Sequence, residues 1–201
     1  MNIGIRLHDT AGTTLAERLD SAKAQGFTCV HLAMQKAVPG FAMGDAPRLL
    51  TEDLAAQVRE ALEKRGMACA VLGCYLNLAT PDEEQYRRNL DIYFAHLRFA
   101  RWMGAMTVGT ETGAPNTAYR LDDNTHTQEA LRTFMWNLEP VVERAEKLGA
   151  VIAIEPVWNH IVYDADRALT VLRALESPNL RIIFDPVNLL AMENLDRREQ
   201  V

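Results

Sequence analysis

With 201 residues, 48% of them hydrophobic and 24% charged, the chain has the make-up of a soluble globular domain long enough to bury a core. It contains no apolar run near the roughly 18 residues of a membrane-spanning helix, and Met1-Asn-Ile-Gly-Ile-Arg lacks the basic and apolar regions of a signal peptide, so a cytoplasmic protein with no membrane partner is expected. A formal charge of −6 argues against a nucleic-acid partner.

In chain order, one strand–helix unit recurs six times. Ile3–Leu7 reads as the first strand; Thr14 and Glu17 then form a capping-box pattern that opens a helix to Gln25, closed by Gly26. Cys29–Ala33 is the second strand, followed by a loop holding Pro39, Gly40, Gly44 and Pro47 and a helix from about Thr51 to Arg65. Cys69–Leu76 is the third. Thr80, Pro81 and Glu83 supply an N-cap, a first-turn proline and a capping acid for a long helix to Met103. Met106–Thr110, a polar loop from Thr112 to Asp123 and a helix from about His126 to Leu148 make the fourth unit. The fifth strand, Val151–Glu155, leads to a helix from about Asp164 to Leu175 that Ser177-Pro178 stops. Leu180–Asp185 is the sixth strand, and Asn194 to Val201 begins a seventh, polar, helix-like segment. Cys29, Cys69 and Cys74, odd in number and set in or beside apolar runs, read as reduced core thiols.

Alternating strands and helices imply a parallel sheet with right-handed crossovers, either an open doubly wound sheet or a (β/α)₈ barrel. The segment His8-Asp-Thr-Ala-Gly after the first strand carries no Gly-rich phosphate fingerprint, which argues against a dinucleotide-binding unit. Side-chain parity favours the barrel. One parity collects Ile3, Ile5, Leu7, Val30, Leu32, Leu72, Leu76, Met106, Val108, Ile152, Ile154, Ile182 and Phe184, and is assigned to the helix-covered face. The other collects Arg6, His8, His31, Tyr75, Asn77, Glu111, Glu155 and Asp185, too polar for a face packed under helices, and these gather towards the C-terminal strand ends where barrel enzymes place their sites.

Two of these strands end alike, in Val151-Ile-Ala-Ile-Glu155-Pro156 and Leu180-Arg-Ile-Ile-Phe-Asp185-Pro186. A buried, unpaired carboxylate is costly, and proline ends the ladder, leaving each acid on the last strand residue. Strands lie about 4.8 Å apart, so Glu155 and Asp185 are expected side by side, close enough to share a divalent cation. The alternative makes them ion-pair partners of Arg6 or Arg181. His8 and His31 share the inward parity and read as pocket lining; Tyr75 and Asn77 close the third strand and shape the pocket. His160 sits in the loop Trp158-Asn-His-Ile and is assigned to substrate, with anchoring of that loop as the alternative. Glu111 reads as metal-proximal or as a hydrogen-bonding group in the barrel mouth. His96 and His126 are expected at the surface, and Trp102 and Trp136 in the core.

The runs Glu111-Thr-Gly, Ala153-Ile-Glu155-Pro-Val and Ile183-Phe-Asp185-Pro-Val-Asn188 resemble the xylose isomerase-like TIM-barrel superfamily, in particular its sugar phosphate isomerase/epimerase group. The resemblance covers the whole chain and implies one divalent metal held by a Glu, Asp, His and Glu from strands five to eight. Glu155 and Asp185 match the first two; the others have no counterpart. A complete barrel takes about 250 residues, so residues 1–201 are read as a single incomplete domain, a barrel truncated to about six units.

The implied chemistry is isomerisation or epimerisation of a sugar or sugar phosphate through an enediolate, with Glu155 as ligand and acid/base, Asp185 as ligand, and His8, His31, Tyr75, Asn77, Glu111, His160 and Asn188 around the substrate. The ligand set suits manganese or magnesium, with cobalt or zinc as alternatives. An inosose dehydratase-like activity on a cyclic polyol and an inactive barrel fragment are the competing readings. A class II apurinic endonuclease is disfavoured, because Asn188 stands where that branch places a histidine. Unpaired strand edges also imply self-association into a homo-oligomer.

Overall fold

The computed structural model describes residues 2–197 and 199. Among them are six strands: β1 (Gly4–Arg6), β2 (Cys29–Leu32), β3 (Ala68–Gly73), β4 (Val108–Glu111), β5 (Ile152–Glu155) and β6 (Leu180–Ile182). They follow one another in sequence order in one sheet, and β1–β2, β2–β3 and β5–β6 pair in parallel, as strands joined through helices must. The helices are α1 (Leu15–Ala24), the one-turn α2 (Met34–Ala37) and α3 (Ala46–Leu49), then α4 (Glu52–Glu63), α5 (Glu83–Met103), α6 (Gln128–Leu148) and α7 (Ala165–Leu175).

Local chemistry sets the helix starts. Before α1, the Thr14 hydroxyl accepts from the Glu17 amide at 3.3 Å, and the Glu17 carboxylate accepts from the amides of Thr13 (2.8 Å) and Thr14 (3.1 Å). Those bonds, with one from the Thr13 hydroxyl, pull the Glu17 carboxyl down to about 2. Thr51 caps α4 and Asp164 caps α7 in the same way. At α5 the expected cap moves by two residues: Asp82, not Thr80, accepts from the Gln85 amide (2.8 Å), while the Thr80 hydroxyl accepts from the Asp82 amide (3.3 Å).

By its internal packing the chain divides into two units. The first runs to Cys74 and adds Asp91–Val108 and Leu148–Val151. Its buried side chains include Leu19 and Ala22 of α1, Val30 and Leu32 of β2, Val58 and Leu62 of α4, Leu72 of β3, and Tyr93, Leu97 and Phe99 of α5. The three cysteines are free and buried, in line with the sequence, and burial pushes the Cys69 thiol up to about 12. His96 departs from expectation. It is fully buried, because it falls on the stripe of α5 shared with Ile92, Tyr93, Phe99 and Ala100; its Nδ1 lies 2.8 Å from the Ile92 carbonyl, and burial holds its pKa down at about 4.

The second unit comprises Tyr75–Leu90, Gly109–Lys147 and the chain from Ile152 onward. Phe134, Leu138 and Val141 of α6, Ile152 and Ile154 of β5, Ile161, Val162, Val171 of α7 and Leu180 of β6 are buried in it. Trp136 was expected in the core but is 75% exposed, on the face of α6 opposite Phe134 and Leu138. Ile3, Met106 and Phe184, assigned to the helix-covered face, are also exposed, and each lies just outside its strand.

β6 also ends earlier than expected. Its ladder stops at Ile182, with one further bond from the Ile183 amide to the Ile154 carbonyl (2.9 Å), so Asp185 lies three residues past the strand. Of the segment from Asn194 to Val201, the part up to Arg197 belongs to a 3₁₀ turn (Met192–Arg197), and positions 198, 200 and 201 lie outside the described residues.

Candidate functional site in the second unit

Glu155 is the last residue of β5 and only 9% exposed. Its Oε1 accepts from the Asn188 side-chain amide at 2.7 Å. The pairing Ile154↔Ile182 sets Glu155 level with Ile183, not with Asp185. Asp185 instead turns the chain after β6, its Oδ1 accepting from the amides of Val187 (3.0 Å) and Asn188 (3.4 Å). Asn188 therefore touches both acids, one through its side chain and the other through its backbone. The Arg6 guanidinium meets Asp9 at 2.8 Å, and Arg181 donates to the Leu180 carbonyl.

A second group gathers around Glu111, the last residue of β4. The Tyr119 hydroxyl donates to Glu111 Oε2 at 3.1 Å, and His160 Nδ1 lies 3.8 Å from the same oxygen. The Tyr119 and His160 rings stand 5.3 Å apart. His160 is 8% exposed, and burial lowers its pKa against the opposing pull of Glu111. Burial first, then the charge and hydrogen bond of Glu111, then Tyr75 and Glu155, push the Tyr119 hydroxyl well above its ordinary value, so it remains a donor at physiological pH.

The loops that carry these side chains are tied together. The Ile161 amide donates to the Gly113 carbonyl (3.0 Å), the Val162 amide to the Thr112 hydroxyl (3.0 Å), and the Trp158 amide to the Asn188 carbonyl (2.8 Å). Buried Arg167, in the first turn of α7, donates to the carbonyls of Ile161 (2.9 Å), Thr127 (3.3 Å) and His126, and its guanidinium lies 4.6 Å from the Tyr163 ring centre. Asn77 spends its side chain on this framework. Its Nδ2 donates to the carbonyls of Ala114 (2.8 Å) and Asn116 (2.9 Å), and its Oδ1 accepts from the amides of Ala79 (3.1 Å) and Ala114 (3.4 Å). Tyr119 and Arg167 were not singled out from the sequence: nothing in a polar loop marks one tyrosine for a carboxylate eight residues back, and an arginine at a helix start reads as solvated.

His8 and His31 belong to the first unit. Their rings meet edge-on at 6.3 Å, and His8 Nε2 lies 3.8 Å from Asp9. Burial, followed by the positive neighbours His8, Arg6 and Lys36, holds His31 at about 4, so it is neutral near pH 7.

Glu155 and Asp185 fit a divalent cation in kind, as hard oxygen donors, but not in number: among the described residues no three of His, Cys, Asp and Glu come together as a metal-binding group.

The family model described as xylose isomerase-like TIM barrel matches residues 19–201. The chain belongs to that family. Among solved structures it resembles a 3-keto-D-glucoside 4-epimerase from E. coli (16% identity, 100% of this chain and 74% of that one, TM-score 0.76). It also resembles a D-psicose 3-epimerase from Clostridium cellulolyticum H10 (13%, 96% and 66%, TM-score 0.74) and a probable 3-DHS dehydratase from Bacillus anthracis (12%, 90% and 62%, TM-score 0.68). No curated protein sequence matches. The chain spans about two thirds or less of the length of several of these neighbours, 66% and 62% in the last two. At such identities the likeness speaks to the fold: the parallel strand–helix architecture expected from the sequence is the xylose isomerase-like one. No helix of the described residues is long and apolar enough to cross a membrane.

Proposed function

We propose that the protein is a sugar isomerase or epimerase that removes a proton next to a carbonyl, with Glu155 as the base. The observation that carries this reading is the placement of Glu155, a carboxylate held nearly out of water at the C-terminal end of β5. That end of the strands is where enzymes of this fold keep their reacting groups, and a carboxylate is not retained there for packing. Epimerases among the structural neighbours support the assignment.

Glu155 takes the α-proton and returns it, or passes it to a second group, on the other face or the adjacent carbon. The Asn188 side-chain amide fixes the rotation of the Glu155 carboxylate. Asp185, locked by two backbone amides, is oriented without help from a ligand. A divalent ion held in part by Glu155 and Asp185, manganese or magnesium, would supply polarisation of the carbonyl and stabilisation of the developing negative charge. Glu111, His160 and Tyr75 are assigned to the substrate; Asn77 serves it through the loop it holds. A second reading, loss of water from a cyclic polyol, draws on the dehydratase among the neighbours and shares the first proton removal.

Turnover of ketoses in deuterated water, followed by NMR, separates these. Isomerisation or epimerisation places solvent deuterium on the α-carbon and conserves the number of hydroxyl groups, whereas dehydration loses one as water and yields an unsaturated product. Glu155→Gln removes the exchange in either case. Turnover of a good substrate with no deuterium incorporated would count against proton abstraction.

A further inference from the structure

We propose that Glu111 and His160 bind one uncharged hydroxyl group of a polyol substrate, and that Tyr119 is the positioning residue that holds Glu111 for it. The ligand class rests on the sugar reading above; the subsite rests on its own geometry.

Glu111 Oε2 already accepts from Tyr119, and His160 Nδ1 stands 3.8 Å from that oxygen, beyond hydrogen-bond reach. His160 Nδ1 is buried and meets no hydrogen-bond partner, an arrangement that native proteins seldom leave unfilled. The Glu111 side chain is 30% exposed, so an oxygen atom entering there about 2.8 Å from Oε2 bonds the carboxylate, and a small rotation of the His160 ring brings Nδ1 to the same atom. The chemistry of the two groups selects what that oxygen belongs to. A carboxylate demands a donor and repels phosphate or another carboxylate. The imidazole presents either a lone pair or an N–H at Nδ1, according to its tautomer. An ammonium group serves only the lone pair, and an anion serves only the N–H. A hydroxyl donates to Glu111 and still meets His160 in either tautomer.

Tyr119 is held for this purpose at a cost. Its φ of 54° lies in the left-handed region, which a side chain as large as tyrosine rarely enters. Such strain persists where the surroundings over-determine it, and it collects at functional sites. Here Asn116 accepts from the Arg120 amide (3.3 Å) and donates to the Arg120 carbonyl (2.8 Å), closing the turn around Tyr119, while Asn77 fixes Ala114 and Asn116 below it. Gly113, at φ 75°, has no side chain to fill the space against Asn77 and the Tyr119 ring.

The test couples a change in the ligand to a change in the protein. D-Fructose, D-tagatose and D-psicose, with their monodeoxy analogues, are titrated calorimetrically into wild type, Glu111→Gln and Tyr119→Phe. A hydrogen bond to a carboxylate corresponds to roughly a 10- to 100-fold change in affinity. For one hydroxyl position, the deoxy analogue is therefore expected to bind wild type at least tenfold more weakly than its parent sugar. The same pair is expected to bind Glu111→Gln within about threefold of each other, with Tyr119→Phe in between. If every deoxy analogue loses the same factor in wild type and in Glu111→Gln, or if none of the parent sugars binds, the subsite is wrong. Deuterium exchange on the same samples keeps the two claims apart. Coupling without exchange overturns the proposed reaction and retains the subsite; exchange without coupling does the reverse. The ligand-side comparison in wild type needs no variant to fold.

Discussion

His96 offers a quantitative test of how the first unit responds to acid. Its imidazole is fully buried in α5, accompanied only by the Ile92 carbonyl, and its pKa in the folded chain is about 4 against an ordinary value of 6.5. For a base whose folded pKa is depressed, the unfolded chain takes up the proton first. The stability contributed by the neutral imidazole is whole above about pH 6.5 and is lost as pH falls from there towards 4. At about 1.4 kcal/mol per pH unit the loss is about 2 kcal/mol at pH 5 and about 3 kcal/mol once pH 4 is passed. His96→Leu removes this group while keeping a similar volume. Urea unfolding of wild type and variant, followed by far-ultraviolet circular dichroism at steps from pH 7.5 to 4.5, isolates it, since every other titrating group is common to both and cancels in the difference. The variant is expected to gain on wild type by about 2 kcal/mol between pH 7.5 and 5. A difference that stays constant across that range would mean that His96 takes up its proton at the same pH in the folded and unfolded chain, and the burial argument would fall. The acid loss that remains in the variant includes that of His31, held at about 4 by burial and by His8, Arg6 and Lys36, and of His8, His126 and His160, whose pKa values burial also lowers.

Gly113→Ala places a methyl group on the Asn77 side-chain oxygen in a backbone conformation alanine disfavours, and a loss of at least about 2 kcal/mol is expected in thermal or chemical melts; an unchanged midpoint would refute the loop geometry. Arg167→Met leaves three carbonyls of two loops without their donor, with an expected cost of about 3 kcal/mol, whereas a surface arginine would cost almost nothing. Phe184, Val187 and Met192 are exposed beyond β6, which lies at one end of the sheet, so the 201-residue chain is expected to self-associate in sedimentation velocity, and Phe184→Lys to reduce that. A monodisperse monomer at tens of micromolar would contradict it.

Much of the fold was legible because the signals were local. The capping box of Thr14 and Glu17 needs only two residues at the right spacing, and it forms as read. The apolar runs at β2, β3 and β5 needed no partner to be recognised, since burial on both faces leaves few polar residues in them. Legibility failed where tertiary context supplies the answer. Parity assigned Ile3, Met106 and Phe184 to a covered face, but parity says nothing of where each strand begins and ends. His96 was readable: with Ile92, Tyr93, Phe99 and Ala100 it sits on a helical stripe that the polar name of the residue disguised. Of the candidate site, Glu155 at the end of its strand was legible, while the turn that carries Asp185 and the bridge through Asn188 depend on where β6 loses its ladder. Tyr119 was out of reach, because its approach to Glu111 is created by a left-handed turn in a loop with no periodic pattern.

Asn77 has a kinetic consequence. Besides its four side-chain contacts, its own carbonyl accepts from the Asn89 side-chain amide at 2.8 Å, so one residue joins the start of the loop after β3, the loop after β4 and the helix α5. Ordering a free loop costs about 1–2 kcal/mol per residue in backbone entropy. Here that entropy is lost when the chain folds, not when a ligand arrives. Association is then a single encounter with a surface already in place, without a slow closing phase in rapid-mixing traces. The amide hydrogens of Ala79 and Ala114 should likewise exchange with solvent at rates that ligand barely alters, because the openings that expose them are openings of the folded unit itself.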